Sequence, residues 1–221
     1  MTADRYAIYF APDPETPLWR FGCSVLGCDA GTGLDEPVPE ALAGLGLDWR
    51  AATEEPRRYG FHATLKAPFR LAEGRCEEDL LAAAAAFAAR RDAFEIPRLE
   101  PRALGRFIAL VLAEPHAVLH ALADDCVRDL DALRAPLTDT ERARRGAAAL
   151  PPRAAAYLER WGYPQILEDF RFHMTLTGPL PEAQRPAVLE RAQALHAPLD
   201  APVASAKRRR TGRAGTPATI Q

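Results

Sequence analysis

A twelve-residue stretch occurs twice in this chain, as Arg58-Tyr59-Gly60-Phe61-His62-Ala63-Thr64-Leu65-Lys66-Ala67-Pro68-Phe69 and as Asp169-Phe170-Arg171-Phe172-His173-Met174-Thr175-Leu176-Thr177-Gly178-Pro179-Leu180. Both copies read aromatic, any residue, Phe-His-x-Thr-Leu-x-x-Pro, then a large apolar residue. The histidines stand 111 positions apart in 221 residues, the spacing of two related lobes that each bring one copy to a shared place. Each copy reads as a strand, because side chains alternate across a strand. Phe61, Ala63 and Leu65 are then expected on one face, with His62, Thr64 and Lys66 on the other. The second copy sets Phe172, Met174 and Leu176 against His173, Thr175 and Thr177 in the same way. A single His-x-Thr is usually just a half-exposed strand. Core packing explains a repeated Phe and Leu, and strand termination a repeated Pro. Packing does not ask for His and Thr again on the polar face.

The rest of the chain bounds the setting. Its length allows one bilobal domain or two small ones, and 48% hydrophobic with 26% charged residues is ordinary for a globular protein. No stretch reaches the roughly 20 apolar residues of a membrane span, and Met1-Thr2-Ala3-Asp4-Arg5 lacks a signal-peptide apolar region. Cys23, Cys28, Cys76 and Cys126 form no Cys-x-x-Cys pair and read as free thiols in a reducing cytoplasm. Lys207, Arg208, Arg209, Arg210 and Arg213 crowd into residues 201–221; without them, 23 of the 28 basic groups face 30 acidic ones. An acidic body argues against a long polynucleotide partner, while a small anion in a local cleft remains compatible.

Read in order, Arg5–Phe10 is a strand and Leu18–Leu26 a short helix, followed by a Gly- and Pro-rich loop to about Glu40 and at most a short helix before Glu55. After the first His strand, Glu77–Arg91 reads as a helix rich in Ala and Leu, with acids in its first turn and arginines in its last. Phe94-Glu95-Ile96 begins a strand, and Leu99–Leu104 with Phe107–Leu112 makes a hairpin. A helical insert over about 115–162 joins the lobes, its arginines read as a solvated face; His116 and His120, four apart, lack a third metal ligand. The second His strand and a helix over Pro181–His196 repeat the order of the first lobe. The expected domain is therefore 1–200. Residues 201–221 stand where the repeat calls for a hairpin and read instead as an atypical disordered basic tail.

Two histidines on opposing strands can bracket a phosphate, one neutral and taking a proton, the other protonated and giving one. Thr64 and Thr175 would donate hydrogen bonds to non-bridging oxygens, and Lys66 would add a stabilising charge. Arg57 and Tyr59 stand near the same strand as further substrate-binding candidates. Neither a metal nor another cofactor is called for. The chemistry expected is hydrolysis of a small cyclic phosphodiester by His62 and His173. The alternatives are an RNA-end 2′,3′-cyclic phosphodiesterase and a phosphate-binding module without turnover.

The segments Phe61–Leu65 and Phe172–Leu176 resemble the twin His-x-Thr motifs of the two-histidine (2H) phosphoesterase superfamily, which includes RNA 2′,3′-cyclic phosphodiesterases. With Arg5–Pro12, Arg57–Phe69 and Phe170–Leu180, the chain looks most like the branch encoded beside phosphonate-utilisation (C–P lyase) genes. The resemblance covers about residues 5–197. It implies an α+β, bilobal and pseudo-symmetric fold, with two antiparallel sheets flanking a central cleft and helices outside. It also implies a substrate made during phosphonate breakdown, and a C-terminal hairpin that this chain lacks.

Overall fold

In a computed structural model, which describes residues 4–199, the two His-x-Thr copies lie side by side in the middle of a single sheet. The sheet has five strands in the order β1 (Tyr6–Phe10), β4 (Ala63–Phe69), β7 (His173–Thr175), β6 (Phe107–Leu112) and β5 (Leu99–Leu104), and every neighbouring pair is antiparallel. The short β2 (Cys28–Asp29) and β3 (Leu34–Asp35) form a separate hairpin within the expected loop. The α+β class stands, but the expectation of two sheets flanking a cleft is corrected. A sheet that stopped at either His strand would leave a row of unpaired backbone groups at its edge. Here β7 pairs with both β4 and β6, so hydrogen bonding continues across the middle. The expectation that the C-terminal hairpin is missing, and the basic tail read in its place, fall on residues outside the described ones.

Helices cover the apolar face. Pro17 and the Thr16 hydroxyl, which accepts from the Trp19 N–H, start α1 (Pro17–Leu26), and Gly27 at φ 71° ends it. Three single turns follow, α2 (Glu40–Ala43), α3 (Trp49–Ala52) and α4 (Glu54–Arg57). The Trp49 indole N–H donates to the Val25 carbonyl at 2.7 Å and fastens α3 to α1. α5 (Glu77–Ala89) forms as its composition predicts, whereas Phe94–Ile96 makes no strand: Phe94 stacks on His116 and Ile96 is buried.

In α6 (Ala117–Asp129), Leu119, Ala123, Cys126 and Val127 are all buried, so this part of the predicted insert belongs to the core. α7 (Asp139–Arg144) buries nothing and α8 (Pro152–Trp161) only Leu158. Within the expected helical insert, α7 stops short of Gly146, whose φ of 70° favours glycine. Arg142 pairs with Glu159 at 3.0 Å and Arg153 with Asp169, as a solvated face would. α9 (Arg185–His196) buries Val188, Ala192 and His196. One cluster gathers Phe61, Ala63, Leu110, Met174 and Val188, and a second gathers Leu65, Phe69, Leu80, Phe87 and Cys126. Phe10, Leu122 and Phe170 pack against both clusters, so the core continues from one half of the sheet to the other. Among the described residues, no helix is long and apolar enough to cross a membrane.

Candidate active site

His62 is placed by the residues just before it. Phe61 is 1% exposed and seats its ring on the backbone of α1 at Gly22, where a Cβ would stand only 2.1 Å from the ring. Gly60 has φ 73°, and a Cβ there would meet Ala30 at 2.3 Å. These two glycines let the chain turn into β4 with Phe61 underneath and His62 on the opposite face.

The pairing of β4 with β7 is centred on Ala63 opposite Met174. Carried one residue either way, this antiparallel register sets Thr64 opposite His173 and His62 opposite Thr175. Each histidine therefore faces the threonine of the other copy. The histidines themselves are diagonal neighbours, about 7–8 Å apart at their backbones. Among the described residues, neither the Thr64 nor the Thr175 hydroxyl has a hydrogen-bond partner.

The third polar residue of each copy leaves this face, which corrects the alternation expected for Lys66 and Thr177. Ile8 pairs with Lys66 and Tyr9 with Thr64, so Leu65 is an extra residue, a bulge that turns Lys66 toward α6. The Lys66 ammonium donates to the Val127 carbonyl at 3.0 Å and pairs with Asp131 at 3.3 Å. In the second copy the N–H groups of Leu176 and Thr177 both donate to the Ile108 carbonyl, and the Thr177 hydroxyl is buried against the Ile108 N–H at 3.0 Å. The two copies break alternation at the same place, after Thr-Leu.

The rings are held alike. His62 Nδ1 lies 2.9 Å from the Gly60 carbonyl, and His173 Nδ1 lies 2.7 Å from the Arg171 carbonyl. A carbonyl only accepts, so each Nδ1 carries the proton and each neutral ring keeps its lone pair on Nε2. Burial pulls the pKa of His62 below its ordinary value; the Gly60 carbonyl opposes this and nearby His173 adds to it. Two residues that no motif marks complete the surroundings. The Tyr9 ring lies against His62 at a tilt of 31°, with centroids 3.8 Å apart, and the Phe107 ring centroid stands 6.0 Å from that of His173. Tyr9 was visible only as a strand residue; its place beside His62 comes from the β1–β4 register.

The remaining candidates are less central. Tyr59 is exposed, close enough to Tyr9 to reinforce the upward shift that burial imposes on the Tyr9 hydroxyl. The Arg57 guanidinium is taken up by Asp35 and Thr53, both at 3.4 Å, beside the β2–β3 hairpin. His116 Nδ1 accepts from the Leu119 N–H and caps α6.

The profile of the family described as "Protein of unknown function (DUF1045)" matches residues 64–207. Among curated proteins, the chain is similar to the ribose 1,5-bisphosphate phosphokinase PhnN of Janthinobacterium sp. (strain Marseille), with 45% identity over 181 residues, 81% of this chain and 40% of the relative. It is also similar to the protein of that name from Laribacter hongkongensis (strain HLHK9), with 38% identity over 190 residues, 86% of this chain and 44% of the relative. The chain thus spans less than half the length of these curated relatives. No solved structure matches significantly. The names correct the expectation of cyclic phosphodiester hydrolysis, at a ribose or at an RNA end. They are names of kinases, which move a phosphoryl group onto an acceptor and do not add water across a cyclic diester.

Proposed function

The chain belongs to the DUF1045 family, and from that premise we propose that its paired His-x-Thr strands form the ribose-phosphate side of a phosphoryl-transfer enzyme of phosphonate metabolism. The observation that carries this reading is the β4–β7 register, with each histidine opposite the other copy's threonine. No Gly-x-x-x-x-Gly-Lys-Ser/Thr loop occurs in the chain, so the proposed part is the sugar-phosphate side of the reaction and not the nucleotide side. The phosphonate setting comes from the sequence resemblance, and the sugar phosphate from the names of the relatives.

In this reading a phosphate of the ribose lies between the rings, and the Thr64 and Thr175 hydroxyls donate to its oxygens. His62, kept neutral by burial with its Nδ1 proton on the Gly60 carbonyl, offers the Nε2 lone pair as an acceptor for a sugar hydroxyl beside that phosphate. His173 holds the anion from the diagonal corner, donating from Nε2 when protonated. Lys66 and Arg57 have no part in it, and Tyr59 lies at the rim.

Calorimetric titration of ribose 5-phosphate and ribose 1,5-bisphosphate into the full chain tests the proposal. A hydrogen bond to a charged group contributes about 1.5–3 kcal/mol and a neutral one about 0.5–1.5 kcal/mol, so His173→Ala should weaken binding roughly 10- to 100-fold and His62→Ala roughly 2- to 10-fold. Unchanged affinity in both variants, or no binding to the parent chain, refutes the assignment.

A further inference from the structure

The bulge at Leu65 does more than turn Lys66 away. Without the extra residue, Tyr9 of β1 would stand opposite Leu65 and join the apolar face. With it, Tyr9 stands opposite Thr64 and shares the face of the histidines. From there its ring reaches the diagonal neighbour His62, with centroids 3.8 Å apart and planes inclined at 31°. The Tyr9 hydroxyl makes no hydrogen bond to a described residue, so what Tyr9 offers His62 is the ring. The second copy is built differently. Opposite Thr175 stands Ala109, and the Phe107 ring keeps 6.0 Å from His173 at an angle of 52°.

We infer that Tyr9 is a positioning residue for His62: its ring holds the imidazole still and dry, with Nε2 aimed at the ligand, so that a sugar phosphate meets one fixed imidazole and one free to adjust. This rests on the reading that the two histidines hold a phosphate. The Gly60 carbonyl holds one edge of the His62 ring at Nδ1, and Tyr9 covers one face. With edge and face both taken, the imidazole has few ways to turn, and Nε2 is the nitrogen left to bond. A side chain already ordered in the free protein loses little freedom when a ligand arrives. Burial weighs most on the His62 proton, ahead of the Gly60 carbonyl, the His173 ring and the Tyr59 backbone, and none of these is a carboxylate. A ring lying on the imidazole is a direct source of that burial, because it keeps water from one whole face.

Tyr9→Thr, which keeps a good strand former but removes the ring, and Tyr9→Phe, which keeps the ring, test this in the full chain. Proton NMR titration of the His62 ring needs no ligand. Its pKa should rise in Tyr9→Thr, where water reaches the imidazole, and stay in place in Tyr9→Phe. Calorimetric titration of ribose 5-phosphate should show a loss of roughly 2- to 10-fold in Tyr9→Thr and less than about twofold in Tyr9→Phe. On a His62→Ala background Tyr9→Thr should add nothing further, since the group it acts through is gone. A full additional loss on that background, or a loss in Tyr9→Phe, would mean that Tyr9 itself touches the ligand and would overturn the inference. A His62 titration left in place by Tyr9→Thr overturns it equally. Should the parent chain bind no ribose 5-phosphate, the histidine reading fails, and the ring titration alone then decides whether Tyr9 holds His62.

Discussion

His62 and Lys66 are polar residues four apart on one stretch of chain, and the fold treats them in opposite ways. His62 is half-buried with its Nδ1 tied and its Nε2 free; Lys66 is 3% exposed and tied into an ion pair. Because His173 helps depress the His62 pKa, His173→Ala should raise it. Proton NMR titration of the His62 ring would show this, and an unmoved titration would place the rings out of electrostatic reach. Burial likewise pulls the Lys66 ammonium below its ordinary value, and Asp131 offsets only part of that. Lys66→Met should therefore act on stability, not on ligand binding. Asp131 keeps Arg134 at 2.8 Å and Arg160 at 3.2 Å, so its charge is not stranded and the loss should be about 2 kcal/mol. Urea unfolding together with sugar-phosphate titration separates the two effects. A large drop in affinity at unchanged stability would return Lys66 to the site.

Between elements, the clearest electrostatic tie joins α7 to the end of β4. Glu141 accepts from Arg70 at 3.1 Å and from Arg5 at 3.3 Å, and its side chain is 12% exposed. The Arg70 hydrogen bonds, helped by the Thr138 N–H, hold its carboxyl down to about 2 against an ordinary value of 4.5. A carboxylate whose pKa falls on folding stabilises fully above the unfolded value, and that share is lost as pH drops through the folded one. Acid unfolding should thus steepen between pH 4.5 and 2 through Glu141, and Glu141→Gln should flatten that limb. Identical acid profiles would show that the tie contributes nothing. At this scale periodicity and composition revealed most helices but not the bulges. A bulge adds one residue to one strand, and the choice lies in what the neighbouring strand offers.

For the whole molecule, the shared sheet and continuous core make the halves one cooperative unit. Met174 sits at their junction, 0% exposed, between Ala63 of β4 and Leu110 of β6. Met174→Ala should cost about 2–5 kcal/mol and lower one unfolding transition rather than split it. Calorimetry giving two separated transitions would instead mean independent lobes. The same continuity explains why one sheet stands where two were expected. The repeat betrays two related halves but is silent on how their edges meet.

The sequence by itself determined that two like strands exist, which side of each is apolar, and which polar residues recur. Those facts are written in local alternation and in repetition. The tertiary structure alone decided that the strands pair, that each histidine meets the other copy's threonine, and that Lys66 and Thr177 turn away. It alone brought Tyr9 and Phe107 to the rings. Such placements follow from hydrogen-bond register between segments far apart in the chain, which no local pattern encodes.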